Sequence, residues 1–170
     1  GAGGLLEKIL IAAKTITRAD GGTLYLRTEN QRLRFAIVRT DSLGIAMGGT
    51  TGKDVPFYPI HLNSKEGEPN YQMVVAYAAL TGKTVNIADA YSEAGFDFSG
   101  TRNFDKKTGY RSQSFLTVPL KNHEGEIIGV LQLINRILPG TSQIGPFSEA
   151  DQRLAESLAS QAAIAITNRQ

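Results

Sequence analysis

Two glycine-rich stretches are the first places where chemistry could reside. Gly48-Gly49-Thr50-Thr51-Gly52-Lys53-Asp54 and Gly82-Lys83-Thr84 both imitate a loop that cradles phosphate with backbone N–H groups and a lysine. The first is one residue short before Gly52-Lys53 and has Asp54 where a magnesium-binding hydroxyl belongs. The second has Tyr77 at the place of the first glycine, with an apolar helix leading into it. Neither supports triphosphate hydrolysis. His61 and His123 stand far apart, without helical or hairpin ligand spacing, so no metal or haem site is expected. Glu93, Asp97 and Asp105 could act as acid and base, but their spacing sets no pair at catalytic separation. No Ser-His-Asp or Gly-x-Ser-x-Gly pattern occurs. The chain has no cysteine, which excludes disulfides, zinc ribbons, thiolate nucleophiles and thioether-linked cofactors. An enzyme is not expected.

Binding is better supported than catalysis. Residues 88–113 run for 26 positions without a regular period, far beyond common connection lengths. Tyr91, Phe96, Phe98, Phe104 and Tyr110 alternate there with Asp97, Thr101, Asp105, Thr108 and Ser112. Large apolar rings interspersed with hydroxyls and carboxylates suit a lid over a small polar ligand, or a structured connection packed on a sheet. Gln132 sits in an otherwise apolar strand and needs a partner, either a ligand or a neighbouring group.

These residues must be positioned by a small set of elements. Leu5, Leu6, Ile9, Leu10, Ala13 and Ile16 recur at helical spacing over residues 5–17, and Ala19-Asp20-Gly21-Gly22 is expected to break that helix. Residues 23–27 and 33–39 predict a hairpin turning within Thr28-Glu29-Asn30-Gln31. Residues 41–70 are irregular except for a strand-like 57–62; a short helix over 71–80 then stops at Thr81-Gly82. A short strand follows at 84–87, and a second hairpin pairs 115–120 with 126–134. In its last strand Ile128, Val130, Gln132 and Ile134 share one face, while Ile127, Gly129, Leu131 and Leu133 share the other. Both faces are apolar, so this strand is expected to be central and covered twice. A closing helix runs from N-cap Ser148 to about Arg169, with Glu149 and Asp151 in its first turn. Its stripe of Leu154, Leu158, Ala162 and Ala165 can cover the sheet. A second stripe, Ala155, Ala159, Ala163 and Ile166, is small enough for another helix to come close, either the first helix of the same chain or one of a partner. The two are compatible in a four-helix bundle, and a homodimer through the first and last helices is expected.

Composition is consistent with one folded domain over 5–169, preceded by a scar or linker at 1–4. The chain has 170 residues, 41% hydrophobic and 20% charged. Eighteen Lys+Arg against 16 Asp+Glu leave +2, too little to argue for nucleic acid or an anionic membrane. No apolar run approaches the ~20 residues of a membrane span and no signal peptide opens the sequence, so a cytoplasmic location is expected.

The order helix, antiparallel hairpin, short helix, long lid, second hairpin and closing helix resembles a GAF domain. The motifs Thr108-Gly109-Tyr110-Arg111-Ser112, Leu116-Thr117-Val118-Pro119-Leu120 and Gly129 to Asn135 are similar to the cyclic-nucleotide phosphodiesterase and adenylyl cyclase branch. That branch carries Asn-Lys, a variable gap and Phe-x-x-x-Asp-Glu; here the positions read Asn135-Arg136 and Phe147-Ser148-Glu149-Ala150-Asp151-Gln152. Thr81 to Asp89 resembles the family's Thr-Gly-x-x-x-Asn-Ile-x-Asp segment. Residues 41–72 match poorly and resemble a bacterial subset with a longer insertion.

The resemblance implies an α/β (α+β) fold: an antiparallel sheet of five or six strands, terminal helices on one face and a ligand lid on the other. It implies a ligand site at Thr23, Val38, Arg39, Thr40, Val74, Val75, Thr101, Asp105, Thr108, Ser112 and Gln132; the family has an aromatic-acidic pair where Arg39-Thr40 stands, and the charge of Arg39 suits an anion instead. It also implies an ion pair of Arg136 with Asp151, a structural link that leaves the ligand alone, within a motif of Asn135, Arg136, Phe147 and Asp151. The implied function is a regulatory sensor of a small molecule, such as a cyclic nucleotide, in a bacterial signalling protein. No cofactor is implied, and the effector lies outside this sequence. A ligand-free dimerisation and relay module is the alternative. The sulfoxide reductases built on this fold need cysteines that this chain lacks.

Overall fold

The computed structural model describes residues 2–168; Gly1 and Arg169, the outer ends of the expected linker and closing helix, lie outside the described residues. Helix α1 spans Ala2–Thr17, so Gly3 and Gly4, expected as linker, form part of its first turns. The break comes at Arg18, whose φ of 62° turns the chain sharply. Ala19 to Gly22 therefore belong to strand β1 (Ala19–Arg27), not to a loop. The turn at 28–31 leads to β2 (Arg32–Thr40), followed by β3 (Ile45–Gly48) and a two-residue β4 (Ile60–His61). Helix α2 is Val74–Thr81, ended by Gly82 at φ 70°, a conformation that only glycine adopts without strain.

Strand β5 (Val85–Ile87) precedes helix α3 (Ser99–Thr108), which lies inside the stretch expected to be irregular. Its sequence, SGTRNFDKKT, has a single large apolar residue and so no apolar period to detect. Strands β6 (Phe115–Lys121) and β7 (Ile127–Ile137) form the second hairpin, β8 (Ile144–Gly145) pairs with the end of β7, and α4 (Glu149–Thr167) closes the chain.

The sheet is antiparallel in the order β3-β2-β1-β7-β6-β5, with β4 on β2 and β8 on β7. Its two centre strands, β1 and β7, come from opposite ends of the chain. Successive side chains alternate between faces, which sorts the core into two. On one face Leu24, Ile37, Leu116, Val118, Leu131 and Leu133 pack under α1 and α4. On the other, Tyr25, Leu33, Phe115 and Val130 meet α2 and Phe98 of the lid. A register shift between Leu120 and Lys121 interrupts the expected alternation at the start of β7. Ile128 consequently packs on the helical side and Ile127 on the lid side.

The small stripe of α4 is not a free surface. Ala155, Ala159 and Ala163 are fully buried, and Ile166 packs on the same cluster beside Leu6, Leu10 and Ala13 of α1. The stripe expected at a dimer interface is thus intramolecular core, because α1 of the same chain covers it. Among the described residues, the exposed large apolar side chains of these helices are Leu5, Ile11, Ile16, Leu154 and Ile164. Close packing of these alanines against α1 leaves no room for a charge at the centre, so Ala159→Asp is expected to destabilise the fold by ~3 kcal/mol or more. Urea denaturation checks this; an unchanged midpoint would place Ala159 outside the core.

Candidate functional site

A cavity of about 480 Å³ lies between the lid-side face of the sheet and α2, α3 and residues 57–58. The floor is built where β1, β7 and β6 run side by side: Thr23 is opposite Gln132, and Gln132 is opposite Thr117. The Gln132 amide donates to Thr117 Oγ1 at 3.0 Å, while its carbonyl meets only the distant Tyr25 hydroxyl at 3.5 Å. Gln132 Oε1 therefore retains capacity to accept a bond from a ligand. Burial pushes the Tyr25 phenol above its ordinary range, so it stays a neutral donor. Thr40 and Val38 line the same floor from β2, and Val74 and Val75 form the wall from α2.

The lid supplies the opposite wall. Thr101, Asn103, Phe104 and Lys107 reach the cavity from α3, and Phe98, Tyr110 and Ser112 from its flanks. Asp97 lies at the rim, its carboxylate accepting the Ser99 N–H at 2.9 Å, which holds it below the usual carboxylate range. Tyr110 donates to Asp20 at 2.7 Å; burial first, and that carboxylate second, push its phenol up. Asp20 also accepts the N–H and hydroxyl of Ser42. This anchors the end of the lid to the start of β1.

Of the residues expected to form the site, Thr23, Val38, Thr40, Val74, Val75, Thr101, Ser112 and Gln132 line the cavity; Arg39, Asp105 and Thr108 do not. Arg39 lies between Val38 and Thr40 on β2, so alternation sends it to the helical face. There its guanidinium meets Glu7 at 2.6 Å. Asp105 is the buried residue of α3 and turns away from the cavity, accepting the Tyr91 hydroxyl at 2.6 Å and the N–H and hydroxyl of Ser112 at 2.9 and 2.8 Å. The Thr108 hydroxyl turns back onto the Phe104 carbonyl at 2.8 Å. The anion subsite expected at Arg39 is therefore on the wrong side of the sheet. The cationic lining residue is Lys107.

Sequence reasoning did not place Tyr25, Phe35, Phe57 and Tyr58 at the site. The alternation with Thr23 in β1 pointed to Tyr25; nothing in the irregular 49–59 segment pointed to Phe57 or Tyr58. His61 and His123 lie apart, in β4 and in the β6–β7 turn, and neither lines the cavity.

The structural motif lies beside the site. Asn135 has φ 61°; its amide carbonyl accepts the Gln113 N–H at 2.7 Å and its NH₂ donates to the Arg111 carbonyl at 2.8 Å. Arg136 Nε is 2.9 Å from Asp151. That N–H is not aligned for a hydrogen bond, so the link is a charge contact and not a bidentate fork; one terminal nitrogen donates to the Pro146 carbonyl at 3.2 Å. Asp151 also completes a capping box with Ser148 at the start of α4, and Phe147 is buried in the helical-face core.

The GAF domain family model matches residues 3–166. A dual 3',5'-cyclic-AMP and -GMP phosphodiesterase 11A of Takifugu rubripes is 39% identical over 97 residues, 57% of this chain and 10% of the relative. A cGMP-specific 3',5'-cyclic phosphodiesterase of Drosophila mojavensis is 30% identical over 172 residues, 98% of this chain and 14% of the relative. The chain thus spans only a small part of these relatives. Among solved structures, a GAF domain/HD domain protein from Geobacter sulfurreducens shares the fold with a TM-score of 0.66 at 13% identity, over 99% of this chain and 93% of that one.

The contact that diverts Arg39 makes a pH prediction. The Thr50 hydroxyl, then Arg39, and the Thr50 N–H hold the Glu7 carboxyl at about 2, against the ordinary 4.5, despite its burial. A lowered folded-state pKa adds stability that is complete above the unfolded value. It is lost as pH falls from 4.5 through about 2. Glu7→Gln is expected to lose ~2 kcal/mol at neutral pH and to flatten the stability profile between those values. Chemical denaturation across that window checks it; a parallel profile in the variant would contradict the assignment.

Proposed function

The chain belongs to the GAF domain family, and on that premise we propose that it is a sensor whose cavity takes a cyclic nucleotide. In this reading it does no chemistry itself. Occupancy is passed through the terminal helices to an effector elsewhere in a longer cytoplasmic protein. The observation that carries the proposal is the cavity: its volume falls within the ~300–1,000 Å³ of small-molecule sites, its walls are aromatic, and its few polar groups converge on the floor and rim. Gln132 Oε1 suits an N–H of a purine edge, and Lys107 suits a phosphate at the rim. The kinship with two cyclic-nucleotide phosphodiesterases supports the same ligand class.

A contiguous set of contacts supports the relay. Tyr110 on the cavity wall donates to Asp20, which holds Ser42; the adjoining Asp41 pairs with Lys14 of α1 at 2.6 Å. Movement of the lid on ligand binding would load this chain and shift α1 against α4. Exposed Leu5, Ile11, Ile16, Leu154 and Ile164 then offer the surface through which two copies could pair their terminal helices.

Native mass spectrometry of freshly purified protein, followed by calorimetry with cAMP and cGMP, tests the ligand. At least one is expected to bind, and Gln132→Ala is expected to weaken it about 10-fold through loss of one buried hydrogen bond. Absence of binding would leave the ligand-free relay module as the better reading. Binding indifferent to Gln132→Ala would reject the placement of the base. Sedimentation checks the dimer: Ile16→Asp is expected to disperse it with the fold intact.

A further inference from the structure

We infer that Tyr58 is a ligand-covering residue, carried on a strap that closes over the mouth of the cavity onto the face of a flat aromatic ligand. The inference rests on the sensor reading for where a ligand sits, and on separate observations for what the strap does. Tyr58 lines the cavity mouth yet is 90% exposed, the most exposed large apolar side chain among the described residues. A ring left in water at the edge of an apolar cavity gains burial by turning inward. Its neighbour Phe57 is 37% exposed and touches Phe35 edge-on at 5.2 Å, and Phe35 leans on Tyr25 of the floor at 4.7 Å. A row of rings thus climbs from the floor to the rim and ends at Tyr58.

The backbone beneath has few hydrogen bonds to break. Residues 54–59 make no backbone hydrogen bond among the described residues, and Pro56 and Pro59 have no N–H to offer. Both ends are fixed: the Lys53 carbonyl accepts the Gly48 N–H at 2.7 Å, and Ile60 pairs with Leu33 of β2. A second hollow, lined by Arg34, Gly52, Val55 and Phe57, lies against the same segment. The segment is therefore tethered at its ends, held in the middle by Phe57, and borders two hollows. Phe104, from α3, lies across the cavity, so an inward Tyr58 would enclose a planar ligand between the strap and the lid.

The test compares wild type, Tyr58→Phe and Tyr58→Ala with two probes, cGMP by calorimetry and the flat aromatic anion 8-anilinonaphthalene-1-sulfonate by fluorescence. An exposed ring holds no core, so the thermal midpoint is expected to be the same in all three. Stacking needs the ring and not the hydroxyl: Tyr58→Phe is expected to bind like wild type, and Tyr58→Ala about 10–100-fold more weakly. The loss should lie mainly in faster dissociation. If both probes bind Tyr58→Ala as they bind wild type, the covering role is overturned while the cavity reading stands. If the dye depends on Tyr58 but wild type takes no cyclic nucleotide, the cover stands and the nucleotide reading falls. If wild type binds neither probe, both fall.

Discussion

The antiparallel pairing of β1 with β7 is the constraint on which the rest of the molecule depends. It joins strands from opposite ends of the chain and places Thr23 beside Gln132 at the centre of the sheet. The approach is close: a Cβ on Gly129 would lie 2.4 Å from the Tyr25 carbonyl, so the strands could not pair in this way around any other residue. Once they are paired, the alternation of side chains divides every neighbouring strand between a helical face and a lid face. Arg39 and Val38 show the consequence. Adjacent in sequence, they serve opposite cores, one held by Glu7 and the other lining the cavity.

Polar contacts do different work on the two sides. On the helical side, Glu7 gathers Arg39 and Thr50, tying α1 to β2 and to the loop after β3. Arg136 and Asp151 tie the end of β7 to the start of α4, where the capping box already orients the Asp151 carboxylate. Removing one partner of such a part-buried pair leaves the other charge without compensation, so each contact is costly to break from one side. On the lid side, Asn135 uses its left-handed backbone and its amide to hold residues 111–113 against the end of β7.

The lid shows how a polar helix can be kept in place without an apolar stripe. Buried Asp105 collects three donors from Tyr91 and Ser112, satisfying a carboxylate that would otherwise be costly to bury. The guanidinium groups of Arg102 and Arg111 each stack on the Tyr91 ring, at 4.2 and 3.7 Å, and Arg111 in turn grips Asp89 with two bonds of 3.0 and 2.9 Å. The outer side of the lid is thus locked by polar contacts, leaving Phe104, Thr101 and Lys107 directed at the cavity. The polar residues alternating along the lid divide accordingly between scaffold and lining.

What the sequence by itself determined is local or periodic. The two hairpins, the glycine stop after α2, the Ser148 cap and the two-faced β7 follow from alternation and cap chemistry, which act over a few residues. The family motifs added the positions of Thr23, Thr40, Ser112 and Gln132 at one cavity, and the proximity of Arg136 to Asp151. The tertiary structure alone decided the remainder. Helix α3 carries no period because its stability comes from Asp105 and the Tyr91 cluster, contacts set by distant segments. Ala155, Ala159 and Ala163 look equally suited to a partner or to the core; the position of α1 makes them core. Arg39 and Asp105 read as ligand groups by type, but strand parity and a buried hydrogen-bond network turned them elsewhere. Tyr58 reaches the cavity mouth only because Lys53 and Ile60, fixed at the two ends of its strap, hold that segment over the sheet.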